Sequence, residues 1–432
     1  MDDPSGVKEW NPPQIAADIR IVQKFTPVPT STLLWQAVQP SQTCLQKASH
    51  LVMHAKLVFL AGGARGAVTG RSPAVTCVDA RSNTFYWTRA QTSPPFLNLR
   101  GPHALQRSMP VYFIAPHIFH QARLELPQQE LSIPAEVLNL LGDASSIRDI
   151  STTFFRTVHR WLPIISKRGF SLHLLNPLAR RRAQLSLLAL CMKLCCTPPD
   201  DEAGVVTRLY RTTKQLHFEV ETASILSIHT LQANIFIALY EIAHAIYPAA
   251  YLSVGACARQ GLALGVDKLL IDGVGSDNIG TRTWQEVEER RRAWWAVLML
   301  YRFSSLSNPA RPLSTEDPPF DAFLPVDDAV WDDWSSAPGD SIRFSASFNL
   351  KMGSFARLAQ ATHLLSQALR SISLSVSESD VTQPDETAQL RRTLLALVSV
   401  ADKEATVRKL EYCAPSALSL RSVNLEWDRI PI

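Results

Sequence analysis

The sequence predicts an all-α fold: a large multi-helix domain preceded by an irregular N-terminal region. Three observations carry this reading. From about residue 136 onward, apolar residues recur at helical spacing. No strand-like alternation of comparable length occurs there. Prolines and glycines cut the stretch into segments of helix length. With 432 residues, 46% of them apolar and 19% charged, the chain has enough material for a substantial core.

Residues 1–136 read as irregular. Prolines cluster at Pro12-Pro13, Pro27, Pro29, Pro40, Pro94-Pro95 and Pro102, and glycines at Gly62, Gly63, Gly66 and Gly70. A helix over residues 43–60 is the regular element expected there. The run Val111-Tyr112-Phe113-Ile114-Ala115 is too short for periodicity to assign as strand or helix.

The helices follow in order. Pro134 suits a first helical turn, Ala135–Leu141 continues it, and Gly142-Asp143 breaks it. Residues 145–166 read as one helix with Ile147, Ile150, Phe154, Val158 and Leu162 on its apolar side and Pro163 near its end. Residues 177–196 read as the next, stopped by Pro198-Pro199-Asp200. A helix starting near residues 201–203 runs toward His217, and residues 222–246 and 249–264 form a long pair around Pro248.

The clearest helix starts at Thr283. Thr283-Trp284-Gln285-Glu286 is a capping box, in which hydroxyl and carboxylate each satisfy a free backbone amide. Glu286/Arg290 and Glu288/Arg292 are i,i+4 pairs with the acid on the N-terminal side. Val287, Arg291, Trp294, Trp295, Leu298 and Tyr301 lie near one stripe, giving an aromatic-rich inner face. The Arg290-Arg291-Arg292 cluster reads as a solvated helix face with one buried pair, balanced by Glu286, Glu288 and Glu289. A proline-rich extended segment follows through Pro325. Helices are then expected at residues 345–373 and 386–412, around a Ser/Asp-rich linker near residues 374–385.

Most chemical motifs fail on inspection. Gly273-Val274-Gly275-Ser276-Asp277-Asn278 lacks the third glycine of a dinucleotide fingerprint and has no βαβ unit around it. Neither a phosphate loop, nor a Gly-x-Ser-x-Gly elbow, nor His-Glu-x-x-His occurs. Cys44, His50 and His54 lack a fourth ligand, and His117 with His120 is no better. Cys191, Cys195 and Cys196 lie in an apolar helix and read as packing, as does His244. No catalytic residue, metal or cofactor is therefore expected, and the chain does not read as an enzyme. Seven cysteines without a framework fit a reducing compartment. A net charge of +4 is too mild to argue for nucleic acid or membrane by itself. The longest apolar zone, about residues 223–258, is interrupted by Gln232, Asn234, Glu241 and His244, so no membrane span is expected. The acidic start Met1-Asp2-Asp3-Pro4-Ser5-Gly6 is unlike a signal peptide.

Several segments resemble the middle homology region of fungal zinc-cluster transcription regulators. The strongest is Glu286-Val287-Glu288-Glu289-Arg290-Arg291-Arg292-Ala293-Trp294-Trp295, followed by Leu300-Tyr301-Arg302 and Ala310-Arg311-Pro312-Leu313. Ala258-Arg259 through Leu264-Gly265, Trp161-Leu162-Pro163-Ile164-Ile165 and Leu324-Pro325-Val326-Asp327-Asp328 also resemble family segments. Tyr301 stands where the family usually has Asp, and Ala310 where it usually has Gly. The resemblance covers residues 137–420, with 1–136 as the N-terminal region and 421–432 as a tail. It implies structural roles for Glu288, Arg290, Arg291, Trp294, Trp295, Arg302, Arg311 and Pro312.

The resemblance further implies a nuclear regulator of transcription by RNA polymerase II, serving a metabolic or secondary-metabolite pathway. Implied partners are the transcription machinery or complete zinc-cluster regulators, a small-molecule effector and a second copy of the chain. Family members carry six cysteines in a short basic segment that binds two zinc ions and reads DNA. Here only Cys44 and Cys77 precede residue 190, so DNA contact is expected only through a module or partner that supplies it. Glu411-Tyr412-Cys413 through Leu418 resembles the start of another family helix, so the C-terminus reads as short. The expected effector pocket lies between the helices of residues 222–264 and the Trp294/Trp295 helix. Two rival readings are a small-molecule-binding or enzymatic helical protein, and a truncated regulator acting only by dimerisation.

Overall fold

The computed structural model describes residues 112–114, 130–174, 182–199, 204–271, 283–309, 311, 313–333, 337–345, 352–377 and 384–408. Residues 112–114 belong to a unit of their own, Lys56–Gln128, and form a scrap of helix in which the Tyr112 and Phe113 rings meet edge to face. All other described residues belong to the second unit. Expectations for residues 43–60, 62–70 and 273–280, and for Cys44, His50, His54, His117 and His120, lie outside the described residues.

The regular elements described in the main unit are helices. Its α-helices are α1 (Ala135–Leu141), α2 (Ala144–Arg156), α3 (Lys167–Leu174), α4 (Ala183–Cys196), α5 (Arg208–Thr222), α6 (Ile228–Ala243), α7 (Ala249–Ala263), α8 (Trp284–Ser305), α9 (Asp328–Asp332), α10 (Ser354–Ser377) and α11 (Pro384–Arg408). Among the described residues there is no strand, only an isolated antiparallel bridge between Phe323 and Arg343. No helix there is long and apolar enough to cross a membrane.

Side-chain caps set several starts. Asp143 accepts from the Ser146 amide before α2, and Thr207 accepts from the Tyr210 amide before α5. Ser227 and Thr230 form a reciprocal capping box at α6, as Thr283 and Glu286 do at α8. Gly142, at φ +72°, closes α1 in a conformation L side chains rarely adopt.

Burial explains the order of packing. Every residue of α6 except His229 and Ile242 is buried, so it forms the middle of the bundle. It packs on α4, α7 and α8; α4 also carries α2 and α5; α8 meets α10, which meets α11. A contiguous apolar core runs from Val137 in α1 to Leu397 in α11.

Several sequence expectations are corrected. The helix expected over 145–166 ends at Arg156, and a 3-10 turn, Val158–Arg160, replaces its second half. Val158, Leu162, Ile164 and Ile165 are all buried, so the apolar spacing continues after the helix has stopped. The described part of the next helix begins at Ala183, later than Pro177. α5 begins at Arg208, after Gly204 in a left-handed conformation, and runs past His217 to Thr222. α6 begins at Ile228 because Ser224 turns the chain at φ 55°. α10 begins at Ser354, nine residues later than expected. α3 and α9 had no counterpart in the sequence reading.

Candidate functional site

α8 and the segments that lock onto it gather most of the residues singled out by the sequence. Near its N-terminal end, Glu288 holds two arginines. Its Oε2 accepts from Arg291 Nη1 at 2.8 Å, and its Oε1 accepts from Arg292 Nε and from the Val326 amide, both at 2.9 Å. Glu288, Arg291 and Arg292 are all 0–1% exposed. The expectation of a solvated face with one buried pair is therefore wrong: the carboxylate and two of the three guanidiniums are inside the protein.

Further acceptors satisfy the two buried guanidiniums. Arg292 donates through Nη2 to the Val326 carbonyl at 2.7 Å and through Nη1 to Asp328 Oδ1 at 2.8 Å. It also lies 4.2 Å over the Trp331 ring. Asp328 Oδ2 in turn accepts from the Phe355 amide at 3.1 Å, so one arginine ties α8 to the first turns of α9 and α10. Arg291 donates from Nε to the Leu269 carbonyl at 3.1 Å and sits between the Trp284 and Phe323 rings. Burial draws the Arg291 guanidinium below its ordinary value, and Glu288 pulls it back.

The two tryptophans point into the protein. Trp295 is 1% exposed and donates from Nε1 to the Phe323 carbonyl at 3.0 Å. Trp294 lies against Gly261 of α7, where a Cβ would come within 2.6 Å of the ring. The space expected to be an effector pocket between the residue 222–264 helices and α8 is filled at that point by indole.

Arg302 closes the far end. Wholly buried, it donates to Ser366 Oγ at 2.7 Å, to Thr315 Oγ1, to the Thr315 and Glu316 carbonyls at 3.2 Å, and to Asp317 Oδ1 at 3.0 Å. The acid expected beside it at position 301 is thus supplied from Asp317. Tyr301 uses its hydroxyl to bond Ser314. Arg311 is exposed, donates to the Tyr251 hydroxyl at 2.8 Å and lies over that ring. Arg290 is half-buried, and Pro312 and Ala310 lie outside the described residues.

The sequence pointed to neither Asp317 nor the His159–Asp332 pair, and it named Asp328 and Glu289 without the buried bonds they make. Glu289 Oε1 accepts from the Ser166 amide and from Gln232 Nε2, both at 2.9 Å, and burial raises its carboxyl despite those bonds. His159 Nε2 lies 3.0 Å from Asp332 Oδ1, and its ring stacks on Trp331. The partners of Glu289 and His159 are separated from them by 57 to 173 positions in the chain, so no local motif announces them.

Chemically, this arrangement is a frame. Its carboxylates and guanidiniums are turned on one another and on backbone carbonyls. Among the described residues no group of three His, Cys, Asp or Glu side chains could hold a metal. Burial pushes the Cys191 and Cys195 thiols far up and Cys196 to about 11, away from thiolate chemistry.

Fold and site together define an all-helical protein whose central Arg/Trp helix is an organising strut. The family described as the fungal specific transcription factor domain matches residues 152–409, and the chain belongs to that family. It is accordingly a transcription regulator. Over 184 residues it is 34% identical to Transcription factor BOA15 of Botryotinia fuckeliana, covering 43% of this chain and 99% of the relative. Over 168 residues it is 29% identical to Transcription factor tazR of Aspergillus terreus, covering 37% of this chain and 26% of the relative. No solved structure gives a significant match.

Proposed function

We propose that the protein regulates RNA polymerase II transcription of a metabolic or secondary-metabolite pathway from within the nucleus. Its helical region, taken as residues 137–420, is the working part. Its partners are the transcription machinery or complete zinc-cluster regulators, and it meets DNA through a module or partner that supplies the reading surface. The observation that supports this reading is the family match over residues 152–409, which contains the whole Arg/Trp strut. Glu288, Arg290, Arg291, Trp294, Trp295, Arg302, Arg311 and Pro312 act in it as structural residues that fix the helices around α8.

The test is deletion of the gene with transcript profiling, alongside chromatin immunoprecipitation of the tagged protein. Coordinated loss or gain of one pathway's transcripts, with the protein found in nuclei at their promoters, is expected. An unchanged transcript profile with the protein excluded from nuclei overturns the proposal.

A further inference from the structure

We propose that a cleft between Arg311 with residues 313–317 and the last turns of α10 binds a small organic acid with an apolar body. The cleft has a volume of about 320 Å³ and is lined in part by Arg311, Leu313, Ser314, Asp317, Leu369 and Arg370. That lies at the small end of ligand clefts, room for roughly ten waters at about 30 Å³ each.

The chemistry follows from which groups are already engaged. Asp317, 7% exposed, accepts from Arg302 on one oxygen and from Arg370 on the other. The acid at the base of the cleft is therefore committed to holding its two arginines in place. Arg370, 57% exposed, meets Asp317 through Nη2, and Arg311 meets the Tyr251 hydroxyl through Nη1. Each planar fork keeps further N–H donors, and a carboxylate is the group that such a fork pairs with in two parallel bonds. Leu313, half-buried, supplies the apolar wall, with the core residue Leu369 behind it.

Charge balance narrows the class. Arg311 and Arg370 are offset within the cleft by Glu316 and Asp317, so no strong positive field exists to attract a polyanion such as a nucleotide. Recognition falls to directed hydrogen bonds on a single carboxylate plus apolar contact. The site is also connected to the strut. Asp317 reaches α8 through Arg302, and Arg311 reaches α7 through Tyr251, so an occupant is one step from the helices that carry Trp294 and Gly261.

The test is isothermal titration of the full chain with octanoate and benzoate, and with octanamide and benzamide as uncharged matches, at fixed ionic strength. Saturable binding of at least one acid at about 1 mM or tighter is expected, with its amide at least tenfold weaker. Arg370→Gln, and Arg311→Lys, which keeps a charge and a donor for Tyr251 but loses the planar fork, are expected to weaken that acid at least tenfold. Equal binding of acid and amide, binding that both variants retain, or no saturation by either acid overturns the proposal. The measurement uses purified protein, so its outcome is separate from that of the transcript experiment.

Discussion

Glu288 shows how much depends on one carboxylate. It neutralises Arg291 and Arg292 in a place where neither guanidinium reaches water. Glu288→Gln keeps the shape and removes the charge, leaving Arg291 buried without a carboxylate partner and Arg292 with Asp328 alone. Breaking such a buried pair costs about 3–5 kcal/mol, far more than the few tenths of an exposed helix pair. Urea denaturation followed by tryptophan fluorescence measures this, and a loss below about 1 kcal/mol would mean that the arginines are hydrated. Trp295→Phe removes the donor to the Phe323 carbonyl together with part of the buried indole. A loss of about 1–3 kcal/mol is expected in the same assay. Helical spacing placed Glu288, Arg291, Trp294 and Trp295 on one capped helix, and the family resemblance marked them and Arg302 as structural. Neither disclosed the bonds of Asp317 and Asp328 to their arginines, 15 and 36 positions away, because folding of the proline-rich segment back onto α8 makes them.

At the scale of elements, the contact between α7 and α8 turns on two glycines of one helix. Gly261 has the Trp294 ring where a side chain would be, whereas Gly255 faces open space. Gly261→Ala therefore overpacks the interface and is expected to lower stability by about 1–3 kcal/mol. Gly255→Ala removes backbone freedom from the unfolded chain without a clash and is expected to raise stability by about 0.5–1 kcal/mol. Opposite shifts in melting temperature check the pair, and shifts of the same sign would show that α7 does not seat on Trp294. Helix starts were legible where a cap is local, as at Thr283. Helix ends were legible where a breaker is local, as at Gly142 and before Pro198, but the end at Arg156 was not, because burial keeps the same apolar spacing through a turn. Residues 157–165 show this: Val158, Leu162, Ile164 and Ile165 continue the pattern in a segment that is no longer α-helical. Periodicity reports which residues are inside, and only hydrogen bonding decides the backbone that carries them there.

Over the whole molecule, the buried histidines make stability depend on pH. Burial pushes His217 and His363 down to about 4, with Lys214 adding to the first and Asp317 opposing the second. Burial also lowers His159 and His244, against the pull of Asp332 on His159. A folded-state value below the unfolded one means that the unfolded chain takes up the proton first. The stabilisation is thus complete above the ordinary histidine value of about 6.5 and is lost as pH falls from there toward 4. In that window each such histidine steepens the loss by about 1.4 kcal/mol per pH unit. Glu289 and Asp267, raised by burial, act in the opposite sense and offset part of it. Urea midpoints are expected to drop between about pH 7.5 and about pH 5, and the combined variant His217→Gln/His363→Gln is expected to flatten the drop. A wild-type midpoint that does not move over this range would mean that these imidazoles are solvated when folded, and the closely packed interior around α5 and α10 would then have to be drawn more loosely.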